Sequence, residues 1–468
     1  MSDPEPTASQ PGKLLSVLGV AFGLAGSVGG TIGAGILRTP GLVAAQLNTP
    51  WLVLLAWLVG GVYALLGAVC IAELAASLPR AGGWYVYAEQ AFGRRAGWLV
   101  GWTDWVAHCI GLAWVATTVG ELLADWIPEN SAAAWHSQAL ALLVLALFSA
   151  VQLLGVRAGG ASQELLSLVK AVAFLGLAAA SFVLPSAVPI AATTGVALAP
   201  PQGSALAIGA VLALQAVITT FDGWASPVYF AEEFSEPSRD LPRSLIGGVL
   251  AVLVLYLLIN AALLHVLPIS LLSQANLPAA DAARSVFGQR GGQVISAVAL
   301  LSLLGLINTV VMAAPRILFG LSRDRLIPVF LSRVNRVGTP VAAMLLTSAS
   351  AALLILMGSF NHLLGMGACL YVALPLSGIA AQIWLRLHQP ELPRPFLTWG
   401  YPLTPWVAGA GSIAFLIGAM GSDPTDSALA AALVVTGGVI GELTMNLKEP
   451  CQNLSATEHM EETTEVKQ

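Results

Sequence analysis

The chain has 468 residues, 57% of them apolar and only 10% charged, with a formal net charge of -5. A soluble domain carries about a quarter charged residues, so a water-facing surface cannot be built from this composition, and the mean hydropathy of +0.80 agrees. Glu449, Glu458, Glu461, Glu462 and Glu465 follow the last apolar run, so the acidic balance says little about a ligand, and nothing resembles a basic nucleic-acid surface.

Apolar runs of the roughly 20 residues that a bilayer demands recur along the whole chain. In order, they predict a polar tail at 1–12 and spans at 14–46, 50–78, 96–124, 138–156, 163–185, 204–233, 243–266, 292–321, 340–358, 363–388, 398–420 and 427–446, then a polar tail at 447–468. The runs are too long, and too apolar on every face, for alternating barrel strands, so an all-α integral membrane protein of twelve helices is expected. No cleavable signal pattern precedes the first run, which reads as a retained span. Cys70, Cys109, Cys369 and Cys451 form no C-x-x-C pair, which argues against a disulfide framework or a zinc site. No metal and no other cofactor is expected. Placing the N-terminus inside gives the cytoplasm Lys13, Arg80, Arg94, Arg95, Arg157, Arg239, Arg243, Arg323, Arg325, Arg333, Arg336, Arg386, Arg394, Lys448 and Lys467 and leaves only Arg284 and Arg290 outside. Cytoplasmic loops carry that excess of Lys and Arg, so both termini are expected in the cytoplasm, with the chain in a plasma or inner membrane and lipids around it.

Two spans carry interruptions. The first contains Gly29-Gly30-Thr31-Ile32-Gly33-Ala34-Gly35, and the sixth contains Thr219-Thr220-Phe221-Asp222-Gly223-Trp224 with Pro227 just after. Clustered glycines invite unwinding, and unwound backbone at membrane depth is tolerated only where protein or a cavity satisfies it. One such helix reads as close packing of small residues. Two, five spans apart, point to a transporter with inverted repeats and a site at the bilayer midplane.

At these residues the chain resembles the amino acid–polyamine–organocation superfamily. Gly30 to Leu37, GTIGAGIL, is similar to the first-helix motif, with Ala34 where a serine is usual. PRAGGWYVYAEQAFG (Pro79 to Gly93), Glu232-Glu233 with Pro237 and Asp240-Leu241-Pro242, and SRDRLIP (Ser322 to Pro328) are similar to the second, sixth and eighth helix endings of that family. Phe221-Asp222-Gly223-Trp224 and WLRLHQPELPRP (Trp384 to Pro395) resemble the L-type transporter and exchanger branch. The resemblance implies the leucine-transporter-type fold: a first five-helix repeat at 13–200, an inverted second at 201–390, and two further helices at 391–446. It also implies a secondary amino-acid transporter. Animal members of the branch join an accessory glycoprotein through a cysteine between the third and fourth spans. The corresponding loop here, Asp125 to Gln138, has none, so no disulfide-linked subunit is expected.

An amino acid presents a carboxylate and an ammonium on one carbon. The N-terminus of a half-helix offers free N–H groups and partial positive charge, which suits the carboxylate, and unwound carbonyls suit the ammonium. The candidate substrate residues are therefore Thr31, Ile32, Gly33, Ala34 and Gly35 in the first break, with the N–H groups near Gly33, Ala34 and Gly35 for the carboxylate. Carbonyls of Thr219, Thr220 and Asp222, with Ile32 opposite, are the candidates for the amine. Gly223 completes the second break. Phe221 and Trp224 read as aromatic covers or as core packing, and Asn308 as pocket lining or interhelical glue.

Charge within a span costs about 2.5–3.5 kcal/mol on insertion scales and is functional by default. Lys170 lies midway along the fifth span. In the resembled family it occupies the place where sodium-coupled relatives bind a cation, so it is the candidate substitute for a coupling ion; otherwise it is a boundary lysine. Asp222 reads equally as a half-helix cap or as an anionic wall, and in the resembled branch an aspartate here occurs among exchangers that accept cationic as well as neutral amino acids. Asp104 and His108, four apart, share a helix face as a hydrogen-bonded pair or a proton relay. Arg38 follows the first break and either snorkels outward or pairs with a carboxylate.

No H-E-x-x-H, G-x-S-x-G or P-loop appears, so no enzyme or ATP-driven pump is expected. The expectation is sodium-independent exchange of neutral, and by extension cationic, L-amino acids. A proton-coupled amino acid or polyamine permease and a non-translocating amino-acid sensor are the alternatives.

Overall fold

The computed structural model describes residues 14–446 apart from Ala34, 125–132, 185–200, Asn276, 358–359 and Asp423. The expected tails, Cys451, Ala34 and most of the loop between the third and fourth spans lie outside the described residues. Sixteen α-helices follow in chain order: α1 (Val20–Thr31), α2 (Gly35–Leu47), α3 (Pro50–Ser77), α4 (Trp84–Phe92), α5 (Arg94–Ala124), α6 (Ala133–Leu153), α7 (Val156–Val183), α8 (Gly203–Thr220), α9 (Pro237–Val266), α10 (Ile269–Leu272), α11 (Pro278–Phe287), α12 (Gly291–Arg323), α13 (Val341–Met357), α14 (Phe360–His388), α15 (Leu403–Ser422) and α16 (Pro424–Asn446). Among the described residues the only β-type pairing is one isolated parallel bridge, Leu18 to Phe234.

Nine of these helices are long and apolar enough to cross a bilayer, and α1 with α2, bent by 50° at their break, makes a tenth. The described part of α6 and the whole of α13 are apolar but shorter. The first expected span is thus two helices, and the sixth is α8, a turn and a 3-10 helix over Ser226–Glu233. The fifth begins at Val156 rather than near 163, because Gly155, with φ of 109°, ends the preceding turn and leaves no room for a longer loop. The short helices α4, α10 and α11 lie outside the expected spans.

Bilayer-facing helices expose large apolar side chains, such as Leu143 and Leu147 on α6, Leu165 and Leu168 on α7, and Trp406 and Ile417 on α15. Lipid replaces water there, so helix association rests on close packing and on polar contacts between helices. Asn308 on α12 provides one such contact. Its Nδ2 donates to Gln163 Oε1 at 2.8 Å, and its Oδ1 accepts from Gln152 Nε2 at 2.8 Å and from Ser162 Oγ at 3.1 Å. The amide is fully buried and engaged with α6 and α7. These bonds are those of interhelical glue, one of the two readings of Asn308.

Charged clusters hold one end of the bundle. Glu233 and Arg316, 0% and 2% exposed as side chains, pair at 2.9 Å between the 3-10 helix and α12. Arg323 pairs with Glu232 at 2.5 Å, and Arg80 with Asp324 at 2.5 Å. Burial, followed by the neighbouring Asp324 carboxylate, raises the Glu89 carboxyl above its ordinary range. Glu73 on α3 accepts from Arg386 Nε at 2.7 Å and from the Thr398 N–H at 2.8 Å, tying α3 to the α14–α15 connection.

Candidate functional site

The two breaks meet. A Cβ on Gly30 would lie 2.7 Å from the Gly223 carbonyl oxygen, and one on Gly223 would collide with the Gly30 carbonyl. Gly223 also has φ of 96°, a left-handed conformation that glycine adopts at no steric cost. Sequence and geometry therefore agree on why both positions lack a side chain: two backbones cross there. Ser27 Oγ donates to the Trp224 carbonyl at 2.9 Å, and Thr39 Oγ1 and Thr220 Oγ1 are 2.8 Å apart, so α1 and α2 each carry a side-chain bond to the sixth span.

Lys170 is fully buried, and its Nζ donates to the carbonyls of Gly29 at 2.9 Å, Ile32 at 2.9 Å and Ser302 at 3.1 Å. Its ammonium thus joins the unwound end of α1 to α12. Gly305 makes room for it, since a Cβ there would lie 2.9 Å from both Cε and Nζ. Tyr256 on α9 performs the complementary task. Its hydroxyl lies 3.0 Å from the Thr31 carbonyl and 3.2 Å from the Thr220 carbonyl, the last helical residues of α1 and α8. Tyr256 was not legible as a site residue: a tyrosine in an apolar run gives no signal until the two helix ends are brought to it.

These bonds sort the carbonyls assigned to the amine. Thr219 O accepts the Asp222 N–H at 3.2 Å, Thr220 O takes Tyr256, and Ile32 O takes Lys170. Among the described residues the carbonyls of Phe221 and Asp222 accept no hydrogen bond. The free acceptors at the second break are thus those two. At the first break, α2 opens at Gly35 without an acidic residue in its first turn, which leaves its N-terminal partial charge uncompensated. Gly33 has open space, with Leu306 Cδ2 the nearest atom to a built Cβ at 3.8 Å, whereas Gly35 sits against Thr220 Cγ2 at 3.2 Å.

The remaining candidates divide. The Thr219 hydroxyl turns back onto Gln215 O at 2.9 Å and the residue is exposed. Phe221 is buried, its ring 5.0 Å from Tyr256 and 6.2 Å from Trp57. Trp224 stands edge-on to Trp84 at 6.4 Å. The Asp222 carboxylate lies beside the Gly223 N–H in this turn. A small cavity of about 40 Å³ runs from this turn toward α3, α14 and α15, with Asp222, Trp224, Tyr63, Tyr371 and Ser412 on its walls. Asp222 therefore both caps the turn and borders the cavity. Arg38 is exposed.

The opening of α2, the two free carbonyls of the turn after α8, and a fixed ammonium behind the first break are complementary in charge to a small zwitterion. The sequence profile of a family described as amino acid permease matches residues 13–440. The serine/threonine exchanger SteT of Bacillus subtilis is 27% identical over 414 residues, covering 86% of this chain and 90% of that protein. The large neutral amino acids transporter small subunit 2 of Rattus norvegicus is 27% identical over 454 residues, covering 93% of this chain and 82% of its own. The human b(0,+)-type amino acid transporter 1 is 27% identical over 407 residues, with 84% and 81% covered.

Proposed function

Because the chain belongs to the amino acid permease family, whose members are transporters and not enzymes, we propose that it moves amino acids by alternating access through the paired breaks of its first and sixth spans. The observation that carries this reading is the contact of the two breaks, with Gly30 against Gly223 and with the Phe221 and Asp222 carbonyls left free beside the opening of α2. The substrate carboxylate then lies on the N–H groups of Gly33 to Gly35 and its ammonium on the free carbonyls of the second break. Interrupted helices five spans apart support a twelve-span arrangement of two inverted five-helix repeats, and the loop charges support cytoplasmic termini.

The mode we propose is sodium-independent exchange. Lys170 supports it: an ammonium on the Gly29, Ile32 and Ser302 carbonyls supplies the positive charge that a coupling ion would bring. The printed name of the Bacillus relative, an exchanger, supports the same mode. Neutral L-amino acids are the proposed substrates, with cationic ones admitted through Asp222. The loop of 125–138 holds no cysteine, which supports function without a disulfide-linked subunit.

Purified protein in proteoliposomes, preloaded with each of a panel of amino acids and polyamines, tests the proposal. Saturable counterflow of amino acids in choline medium is expected. Binding without flux would replace the transporter with a sensor, and strict sodium dependence would remove the role given to Lys170.

A further inference from the structure

Outside the backbone site, one buried polar cluster has no assigned role. Asp104 on α5 is completely buried, and His108 and Tyr229 are 7% and 5% exposed. The Tyr229 hydroxyl donates to Asp104 Oδ1 at 3.0 Å, and His108 Nδ1 lies 3.1 Å from the same oxygen and 2.8 Å from the Asp104 carbonyl. Two acceptors facing Nδ1 make it the donor, so in the neutral ring the lone pair is on Nε2. The second carboxylate oxygen, Oδ2, is buried and has no hydrogen-bond partner. An unpaired buried carboxylate oxygen is costly, and it leaves the cluster open to one further donor or proton.

The polar groups around the imidazole come from four segments of the chain. Asp104 is on its own helix, Asp222 acts on it from the turn after α8, Tyr229 stacks edge-on at 4.8 Å from the 3-10 helix, and Tyr371 lies at 6.4 Å from α14. Tyr371 and Asp222 both line the cavity described above. Among the described residues neither carboxylate has a lysine or arginine partner. One carboxylate thus touches the imidazole, and a second, close enough to act on it electrostatically, borders the cavity at the second break.

We propose that His108, behind the Tyr371 and Asp222 wall of the cavity, is a proton-binding site at which a proton and the substrate ammonium compete for the negative charge of Asp104 and Asp222. The proton comes from solvent, forms Nε2–H, and returns to solvent when the substrate ammonium arrives; no bond of the substrate changes. The coupling is electrostatic. Imidazolium and ammonium are like charges in a space with little water to screen them, so each weakens the binding of the other, and by linkage the effect is reciprocal.

This inference rests on the transport reading, and its test separates the two. The amino acid with the largest counterflow signal is titrated onto purified protein across the imidazole range, while a pH indicator in weakly buffered detergent records proton release. Affinity is expected to weaken toward acid pH by about tenfold per unit at full competition of one proton, with one proton released per substrate bound. His108→Gln keeps an N–H toward Asp104 but cannot take the second proton, so its affinity is expected to be flat with pH and to release none. Asp104→Asn removes charge that the two cations contest and is expected to abolish the release, which serves if His108→Gln does not fold. A pH-independent wild type, or a His108→Gln variant with the wild-type profile, overturns the proposal and leaves transport standing. A panel in which no amino acid moves at any pH overturns both.

Discussion

Replacing Lys170 with methionine keeps the unbranched stem of the side chain but ends it at a methyl where the ammonium was, removing its charge and three donors. In the wild type those donors meet the carbonyls of Gly29, Ile32 and Ser302 at 2.9, 2.9 and 3.1 Å. An acceptor left unsatisfied in the interior costs about 1–3 kcal/mol, so three cost about 3–9 kcal/mol. Against this, the variant no longer buries an ammonium, which recovers about 2.5–3.5 kcal/mol on insertion scales. Relaxation of the unwound Ile32–Gly33 backbone lets some carbonyls find other donors, and the net loss is expected to be on the order of 3 kcal/mol, about a hundredfold in the population of the intact break. The Gly29 and Ile32 carbonyls that lose their donor hold the backbone whose N–H groups are proposed for the substrate carboxylate, so affinity is expected to fall with stability. Thermal unfolding of purified protein and counterflow at saturating and subsaturating substrate read the two effects. Gly305→Ala is a milder perturbation, since its Cβ would stand 2.9 Å from Lys170 Cε and Nζ and displace the ammonium without removing it. A Lys170→Met protein as stable and as active as the wild type would refute the argument and return Lys170 to a boundary lysine.

Gly33→Leu is expected to abolish substrate binding while the protein still folds, because the space above Gly33 is open to within 3.8 Å of Leu306; Gly35→Leu meets Thr220 at 3.2 Å and is expected to lose stability as well as binding. Near-normal equilibrium binding in Gly33→Leu would remove the first break from the site. Tyr256→Phe deletes only the hydroxyl shared by the Thr31 and Thr220 carbonyls, and a cost of about 1–2 kcal/mol is expected in thermal unfolding together with slower counterflow. Glu233→Gln strands the Arg316 guanidinium, which is 2% exposed, and is expected to destabilise by about 3–5 kcal/mol, with Glu233→Gln/Arg316→Met less affected than the single variant. Asp222→Asn is expected to weaken competition by cationic amino acids more than by neutral ones; equal losses would assign the carboxylate to capping Gly223 alone.

What the sequence could convey follows from the range of each interaction. Apolar runs are local, so the spans could be placed from them, and α3 or α13 begin and end within a residue or so of expectation. Glycines are also local, which made both breaks visible before any geometry. Their mutual contact was not visible, because nothing in Gly29-Gly30 or Asp222-Gly223 names the other. The same limit applies to the carbonyls. Ile32 lies in the first break, Thr219 and Thr220 end α8, and the partners that occupy their carbonyls, Lys170, the Asp222 N–H and Tyr256, come from a distant helix in two cases and from the local turn in the third. Asn308 shows a related limit: an amide in a span signals only that a polar partner exists, and Gln152, Ser162 and Gln163 supply it from two other helices. Lys170 is the instructive opposite. A charge in the middle of an apolar run must be neutralised by acceptors wherever the chain puts it, so its importance could be read from sequence, and only the identity of the three carbonyls required the fold. Long-range backbone acceptors are invisible in a sequence, whereas the expensive donor that seeks them is not.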